Sequence, residues 1–281
     1  MLRDRLIAIK NELQKRYPQG RENYIVEDNT ISVGWKEFSQ NPSNPSNAVI
    51  FIPGWGFSEN SKSIIPICKA FANYTKESKM YAIQARSEEI SPDSFAAEAS
   101  GILQFIKDRE ITNITVAAHS FGGAKAMHLV SQLLKLHPEI HVNGLILYES
   151  VSLYDERKDE FMKNYLREIG IPSRTHTFRV ALDGTIGVVE EIARSGRQFR
   201  RRLSTQIDQA IKIHPAIENI TVPVIQVQGT SDFVSQVAKM DPDIFPNGTI
   251  LTAERGDRHG IVYSRAATVA KVSMRILDRS D

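Results

Sequence analysis

Short apolar runs and longer segments with helical periodicity alternate along most of this chain. The apolar runs occupy residues 48–52, 80–83, 114–118, 144–148, 222–228 and 249–252. Between or after them, apolar residues recur every three to four positions in residues 61–74, 95–107, 122–136, 235–240 and 264–277. Strands that alternate with helices in this way are typical of a parallel sheet covered by helices. The pattern therefore predicts an α/β fold with a mostly parallel central sheet flanked by helices.

The start of the chain shows a different pattern. An amphipathic helix is predicted within residues 1–20, where apolar side chains recur at helical spacing at Leu2, Leu6, Ile9 and Leu13. We expect this face to dock on its own domain. The basic residues of the segment leave attachment to an anionic membrane surface as an alternative. Residues 24–26 and 31–33 then predict a β-hairpin.

The alternation breaks between residues 151 and 220, where no convincing strand occurs. Helical patterns cover residues 154–169 and 185–193 of this interval. An insertion between two neighbouring strands would lie over the strand ends, which is where open α/β sheets bind their ligands. We therefore expect a helical cap over residues 151–220 and a core formed by residues 21–150 and 221–281.

The overall composition is that of a globular protein without a strong net charge. Its 281 residues include 35 basic and 33 acidic side chains, which gives a formal net charge of +2 and no general attraction for nucleic acid. The single cysteine, Cys68, cannot form an internal disulfide. No run of 18 apolar residues predicts stable insertion into a membrane. These features together lead us to expect a cytoplasmic protein.

The most informative motif is a serine between small residues, directly after a buried strand. The apolar residues 114–117 are followed by Ala118-His119-Ser120-Phe121-Gly122, with Gly123 behind them. Small residues on both sides of a serine permit a sharp strand-to-helix turn that exposes the hydroxyl group. Ser120 is therefore the expected nucleophile.

With this motif, and with strands, helices and an insertion in this order, the chain resembles the α/β-hydrolase superfamily from about Ile31 to its C-terminus. In that superfamily the nucleophile, the acid and the histidine follow strands in the order Ser, Asp, His. The matching positions here are Ser120, Asp232 and His259. The resemblance implies an α/β-hydrolase fold with a helical cap, and hydrolysis of a carboxylic ester through an acyl-enzyme, with no metal and no cofactor.

The acid is the assignment for which the sequence offers alternatives. Asp232 follows the apolar run 222–228, as the acid of the superfamily does, but an aspartate at this place also commonly caps a helix. The alternative carboxylates that would approach His259 are Glu149, Asp241, Asp243 and Asp257. Glu149 is the leading alternative because it directly ends the apolar run 144–148.

Acyl transfer also needs hydrogen-bond donors for the oxyanion. The resemblance assigns this role to the backbone amides of Phe121, which follows the nucleophile, and of Trp55. Trp55 lies in Pro53-Gly54-Trp55-Gly56, which resembles the superfamily's His-Gly-x-Gly loop with proline in place of the histidine. The side chains of Trp55, Phe57 and Phe121 would line an acyl pocket or fill the core. A histidine before the nucleophile, here His119, commonly supports the turn in the superfamily, and His119 and Phe57 are also expected to contact the substrate.

The sequence also departs from the superfamily. Ala118 replaces the usual first glycine of the nucleophile motif, and residues 84–89, Gln-Ala-Arg-Ser-Glu-Glu, replace the Gly-rich loop of many members that cleave carbon–carbon bonds, epoxides or halides. The second departure favours a small-molecule ester or thioester as substrate. A thioesterase or acyltransferase with the same residues stays open, as does a ligand receptor or interaction protein on this fold.

The predicted cap carries a cluster of basic residues, Arg194, Arg197, Arg200, Arg201 and Arg202. Such a cluster is typical of a solvated helix face. It would also suit an anionic partner or an anionic substrate.

Overall fold

The computed structural model describes residues 18–88, 93–170, 189, 192–193, 196–212, 214–232, 234–241, 243–252 and 259–279. Within these ranges the chain forms one eight-stranded sheet, whose strands lie in the spatial order β1-β2-β4-β3-β5-β6-β7-β8. The strands are β1 (Gln19–Val26), β2 (Asn29–Glu37), β3 (Asn47–Ile52), β4 (Lys79–Ser87), β5 (Asn113–His119), β6 (His141–Tyr148), β7 (Val224–Gln228) and β8 (Gly248–Thr252). The helix predicted within residues 1–20 falls almost entirely outside the described residues.

The six strands from β3 to β8 are parallel to one another, whereas β2 is antiparallel to both of its neighbours, β1 and β4. β1 and β2 form the predicted hairpin, and Glu27 and Asp28 make its two-residue turn with φ values of 49° and 65°. Positive φ at both central positions gives a turn that matches the twist of the two strands.

Helices cover both faces of the sheet. They are α1 (Ile65–Tyr74), α2 (Ser94–Asp108), α3 (Gly122–Leu136), α4 (Lys158–Gly170), α5 (Phe199–Ala210), α6 (Ile261–Ser264) and α7 (Ala266–Leu277). α1 and α7 pack on one face, and α2 and α3 pack on the other. The predicted α/β fold, with a mostly parallel sheet flanked by helices, is confirmed.

The continuous apolar character of the strands follows from this two-sided burial. In β5, Val116 and Ala118 face the α2 and α3 side, whereas Ala117 between them faces the α1 and α7 side. Successive side chains of a strand point to opposite faces, so a strand covered on both faces needs apolar residues at nearly every position.

The lengths predicted for one strand and one helix are wrong. β4 does not end near Ile83 but continues to Ser87, because Gln84 pairs with Gly34 and Ser87 pairs with Ile31 of the antiparallel β2. The polar residues after Ile83 are therefore part of a strand and not a loop. The helix predicted over residues 235–240 is reduced to a single 3₁₀ turn at Val237–Lys239.

Two helices, α4 and α5, lie between β6 and β7 in the interval predicted to be a cap. Phe161 of α4 and Ile207 of α5 are buried in one cluster with Phe121 and Val234 of the core. This apolar contact attaches the two helices next to the end of β5. Among the described helices, none is long and apolar enough to cross a membrane.

Candidate active site

The turn between β5 and α3 brings Ser120 into a strained backbone conformation. Its φ is 52°, a value that residues with a β-carbon rarely adopt, and its amide donates to the carbonyl of Tyr148 at a distance of 3.0 Å. The two glycines that follow are required by close packing. A β-carbon on Gly122 would lie against the carbonyl oxygens of Ile52 and Pro53, and one on Gly123 would overlap Ser150.

We expect the substitution Gly122→Ala to lower the free energy of unfolding by about 3 kcal/mol, since the added methyl group meets backbone atoms that cannot rotate away. Gly196→Ala is the control for packing, because no atom lies within 4 Å of the position of its β-carbon; unlike Gly122, Gly196 has a positive φ, of 52°. The control should cost about 1 kcal/mol, from backbone strain alone. Urea unfolding of both variants measures the difference, and an equal loss in the two would contradict the packing explanation.

His259 lies between Ser120 and Asp232. Its Nε2 is 2.8 Å from Oγ of Ser120, and its Nδ1 is 2.9 Å from Oδ2 of Asp232. In the tautomer with the proton on Nδ1, the ring donates to the carboxylate and Nε2 accepts from the serine hydroxyl. All three side chains are less than 10% exposed, so the contacts are shielded from competition by water.

The two oxygens of Asp232 have different partners. Oδ2 faces His259, whereas Oδ1 accepts from the amides of Val234, at 2.7 Å, and Ser235, at 3.0 Å. The side chain therefore also binds the backbone of the loop after β7, although the helix that it was expected to cap is reduced to one 3₁₀ turn. Of the alternative carboxylates, Asp241 and Asp243 are exposed, and Asp257 lies outside the described residues.

Glu149, the leading alternative, binds the backbone next to His259 and not Nδ1 of its ring, where the acid is expected. This fully buried carboxylate accepts from the backbone amides of Gly260, at 2.5 Å, and Ile261, at 3.1 Å. Burial raises the pKa of Glu149 well above its usual range, and the negative charge of Asp232 adds to that increase. Glu149 thus holds the backbone that follows His259, while Asp232 contacts the imidazole ring.

The ring of His119 lies next to that of His259, and Phe57 lies next to His119. The Nδ1 atom of His119 is 2.8 Å from the hydroxyl of Tyr263, and its Nε2 is 3.4 Å from Oε2 of Glu149. Its ring centre is 4.9 Å from that of His259, which is consistent with support of the turn. The ring of Phe57 packs on Tyr263 in the core, so the structure does not bring it to the surface on which Trp55 and Phe121 lie.

Trp55 and Phe121 line one common cavity. Within the described residues, neither backbone amide makes a hydrogen bond, which leaves both donors available to a ligand. Phe121 directly precedes the first turn of α3, where the helix dipole also favours negative charge. The two rings join those of Phe161 and Tyr165 in an aromatic cluster with centre-to-centre distances between 5.9 and 6.5 Å.

Three buried side chains bring potential metal-ligating atoms together. Atoms of His119, Glu149 and His259 lie within 4.8 Å of one another in the described part of the chain. However, Ser120 and Asp232 occupy both ring nitrogens of His259, and two backbone amides occupy an oxygen of Glu149. These donors and acceptors fit a hydrogen-bonded network better than a metal site.

The described arginines of the predicted cap do not form one uniform patch. Arg197, Arg200 and Arg201 are exposed, whereas Arg202 is half-buried and donates to the carbonyl of Glu88 at 2.8 Å. Arg194 lies outside the described residues. A role for this cluster in binding an anionic partner stays a prediction.

A buried ion pair near the nucleophile was not predicted from the sequence. Nζ of Lys125, five residues after Ser120, lies 2.5 Å from Oε2 of Glu98, and both side chains are about 5% exposed or less. The signal was present in the sequence: a lysine stands among the small and apolar residues at the start of α3, where a solvent-facing side chain was not expected.

No protein-family model and no curated protein matches the chain. Solved structures do match it. A putative lipase from Acinetobacter baumannii has a TM-score of 0.67 at 15% identity, over 97% of this chain and 95% of that one. A membrane phospholipase A, described as a bacterial virulence factor, has a TM-score of 0.66 at 17% identity, over 98% and 91%.

An α/β-hydrolase fold protein from Chitinophaga pinensis is similar at a TM-score of 0.62 and 17% identity, over 93% of this chain and 98% of that one. At identities this low, similarity in structure is informative about the fold alone. The parallel sheet, the serine turn after β5 and these solved structures agree: the chain has the α/β-hydrolase fold that its motifs resembled.

Proposed function

We propose that this protein is a serine hydrolase that cleaves a carboxylic ester through an acyl-enzyme on Ser120. The observation that carries the proposal is the pair of contacts made by His259, 2.8 Å to the serine oxygen and 2.9 Å to the carboxylate of Asp232. A serine hydroxyl is a weak nucleophile until a base removes its proton during attack. The lipase and the phospholipase among the solved structures of this fold further support an ester as substrate.

In the first half of the reaction, Oγ of Ser120 attacks the ester carbonyl and its proton passes to Nε2 of His259. The tetrahedral intermediate carries a negative oxygen, which the amides of Trp55 and Phe121 stabilise. Each such donor contributes about two to three orders of magnitude in rate. Asp232 stabilises the charged imidazolium. The intermediate collapses as the carbon–oxygen bond to the alcohol breaks, and His259 gives its proton to the departing alcohol.

The second half repeats these steps with water. His259 takes a proton from a water molecule while the water oxygen attacks the carbonyl carbon of the acyl-enzyme. The bond between this carbon and Oγ of Ser120 then breaks, and His259 returns the proton to Oγ. The products are a carboxylic acid and the free enzyme. In this proposal residues 151–220 act as a cap, since α4 and α5 contact Phe121 directly beside the nucleophile.

A fluorophosphonate probe tests the covalent step directly. We expect one equivalent of probe to attach to the peptide that contains Ser120, as identified by mass spectrometry, and we expect Ser100→Ala to be labelled as fast as the wild type. Ser100 is a suitable control because its hydroxyl bonds to Ala96 and Gln132 between helices, away from His259. Absence of labelling, or labelling at another residue, would contradict the proposal.

A further inference from the structure

The cavity beside the nucleophile is lined by both proposed oxyanion donors and by several polar side chains. Trp55 and Phe121 line it, and Phe95 adds a third aromatic ring. The polar part of the lining comes from β4, α2, α3 and α5, and it consists of Gln84, Arg86, Glu98, Lys125, Arg202 and Gln206. A pocket for a long hydrocarbon chain is lined mainly by apolar side chains. This composition therefore indicates a ligand group that forms hydrogen bonds.

The charged side chains of the lining already have partners. Lys125 and Glu98 form a buried ion pair, with 2.5 Å between Nζ and Oε2. Arg202 donates to the carbonyl of Glu88, and Arg86 also interacts with another group. A charged ligand would have to compete with these contacts. The cavity is therefore better suited to a neutral polar group.

Two glutamines supply amide groups that have no partner. Gln84 is only 8% exposed, yet its amide oxygen accepts no hydrogen bond within the described part of the chain. The amide oxygen of Gln206 is likewise buried and unpaired among the described residues. Buried amides nearly always have a partner, because an unpaired one has lost its bonds to water. Both glutamines line the cavity, so a polar ligand group, or water in its place, would satisfy them.

Gln84 and Gln206 come from different parts of the fold. Gln84 is on β4, whose backbone pairs with Gly34 of β2 at this position. Gln206 is on α5, and the next residue, Ile207, is buried in one cluster with Phe121. The core thus provides one amide and the predicted cap provides the other. Both elements are fixed by contacts outside the cavity, and a site on well-supported elements discriminates well between ligands.

The size of the cavity limits the ligand group. The centre of a water molecule has about 30 Å³ of free space there. Since one water needs roughly 10–15 Å³ by this measure, the cavity holds about two waters or one small polar group. A hydroxyl group fits this space. It can also donate to an amide oxygen and accept from an amide NH₂ group at the same time.

We infer that this cavity binds a hydroxyl group on the acyl part of the ester, held by Gln84 and Gln206. The acyl part is assigned because both proposed oxyanion donors line the cavity, whereas His259, which protonates the departing alcohol, does not. The inference rests on the proposed function and names its substrate class, esters of short hydroxy acids. An ester with a methyl group in place of the hydroxyl would leave both amides unpaired, which makes it the poorer substrate.

Two esters that differ only in this group test the subsite. The 4-nitrophenyl ester of 3-hydroxybutanoic acid carries the hydroxyl, and that of 3-methylbutanoic acid has a methyl group at the same position. After correction for their rates of hydrolysis in alkali, we expect the wild type to favour the hydroxy ester at least about tenfold in kcat/KM. Gln84→Met keeps the length of the side chain but removes the amide, so the preference should fall about tenfold. A wild type that does not distinguish the two esters would overturn the subsite.

Gln226→Met is the matched control. Gln226, on β7, is fully buried and its amide also lacks a partner within the described residues, but it does not line this cavity. Removal of either unpaired amide should leave the thermal stability unchanged or raise it, so both variants should fold. Only Gln84→Met should lose the preference. An equal loss in Gln226→Met would assign the effect to general changes in the core and would overturn the subsite.

Gln206→Met provides a second variant on a different element. Because Gln206 lines the same cavity from α5, we expect this variant to lose part of the preference for the hydroxy ester as well. Steady-state kinetics with the same two esters measures the loss. A wild-type preference in both Gln84→Met and Gln206→Met would contradict the inference.

A binding measurement distinguishes failure of the subsite from failure of the proposed hydrolysis. Titration of 3-hydroxybutanamide and of 3-methylbutanamide into Ser120→Ala, followed by NMR of the ligand, needs no turnover. We expect the hydroxy amide to bind about tenfold more tightly, and Gln84→Met in that background to abolish the difference. If this holds but the wild type hydrolyses neither ester, the proposed hydrolysis is wrong and the subsite stands. If the wild type hydrolyses both esters equally well and Ser120→Ala binds both amides equally, the subsite is wrong and the hydrolysis stands.

Discussion

Substitution of Ser120 by alanine is expected to lower kcat for 4-nitrophenyl pentanoate by about 10⁴-fold or more. The alanine variant keeps the backbone donors of Trp55 and Phe121 but has no oxygen that can form the acyl-enzyme. The remaining rate would come from a direct attack of water, with His259 as the base. Release of 4-nitrophenol under substrate saturation measures the loss.

The fold should persist in this variant, because the hydroxyl of Ser120 contributes only the contact to His259 among its described bonds. Thermal unfolding of Ser120→Ala should therefore match the wild type within a few degrees. Ser100→Ala is again the control and should retain the wild-type kcat. A folded Ser120→Ala variant that still hydrolyses the ester at a tenth of the wild-type rate would contradict the covalent mechanism.

Asp232→Asn is expected to lower kcat by about 10³- to 10⁴-fold. The asparagine keeps an oxygen for the amides of Val234 and Ser235, so the loop after β7 should hold its form. What changes is the group that faces Nδ1 of His259. A neutral amide no longer stabilises the imidazolium and can force the proton onto Nε2, where it blocks acceptance from Ser120.

Glu149→Gln is the matched control for the aspartate, since both carboxylates are buried near His259. The glutamine can still accept from Gly260 and Ile261, and it resembles the protonated acid that a raised pKa favours. We expect kcat to fall less than about tenfold. Steady-state kinetics of both variants decides the matter: a larger loss in Glu149→Gln than in Asp232→Asn would exchange the roles of the two residues.

The strands of this fold were largely predictable, because a strand buried on both faces is a short apolar run between polar turns. β5 and β6 are examples: the apolar parts of both were recognised, and the structure extends each by a few residues. β4 was cut short because Gln84 and Arg86 interrupt its apolar run. These polar residues are tolerated within the strand, since Gln84 and Arg86 face the cavity that adjoins the nucleophile.

The helix predicted over residues 235–240 does not form, because contacts with distant residues hold this segment in another conformation. Ser235 does not continue a helix: its hydroxyl oxygen lies 2.8 Å from the carbonyl oxygen of Ser150 and 2.8 Å from the side-chain amide of Gln228. The backbone amides of Val234 and Ser235 bind Asp232. Local propensity could not anticipate these contacts, because Ser150 lies 85 residues away in the chain.

The sequence by itself determined the alternation of strands and helices, the position of Ser120 after a central strand, and the order of serine, aspartate and histidine. These features depend on periodicity and on residue size, which are local properties. Only the tertiary structure decided that Asp232 faces the imidazole while Glu149 holds the next two amides. It also decided that Lys125, Glu98, Arg86 and Arg202 line one cavity. The partners of His259 lie far from it in the chain, Asp232 by 27 positions and Ser120 by 139. Only the convergence of the strand ends brings these side chains together.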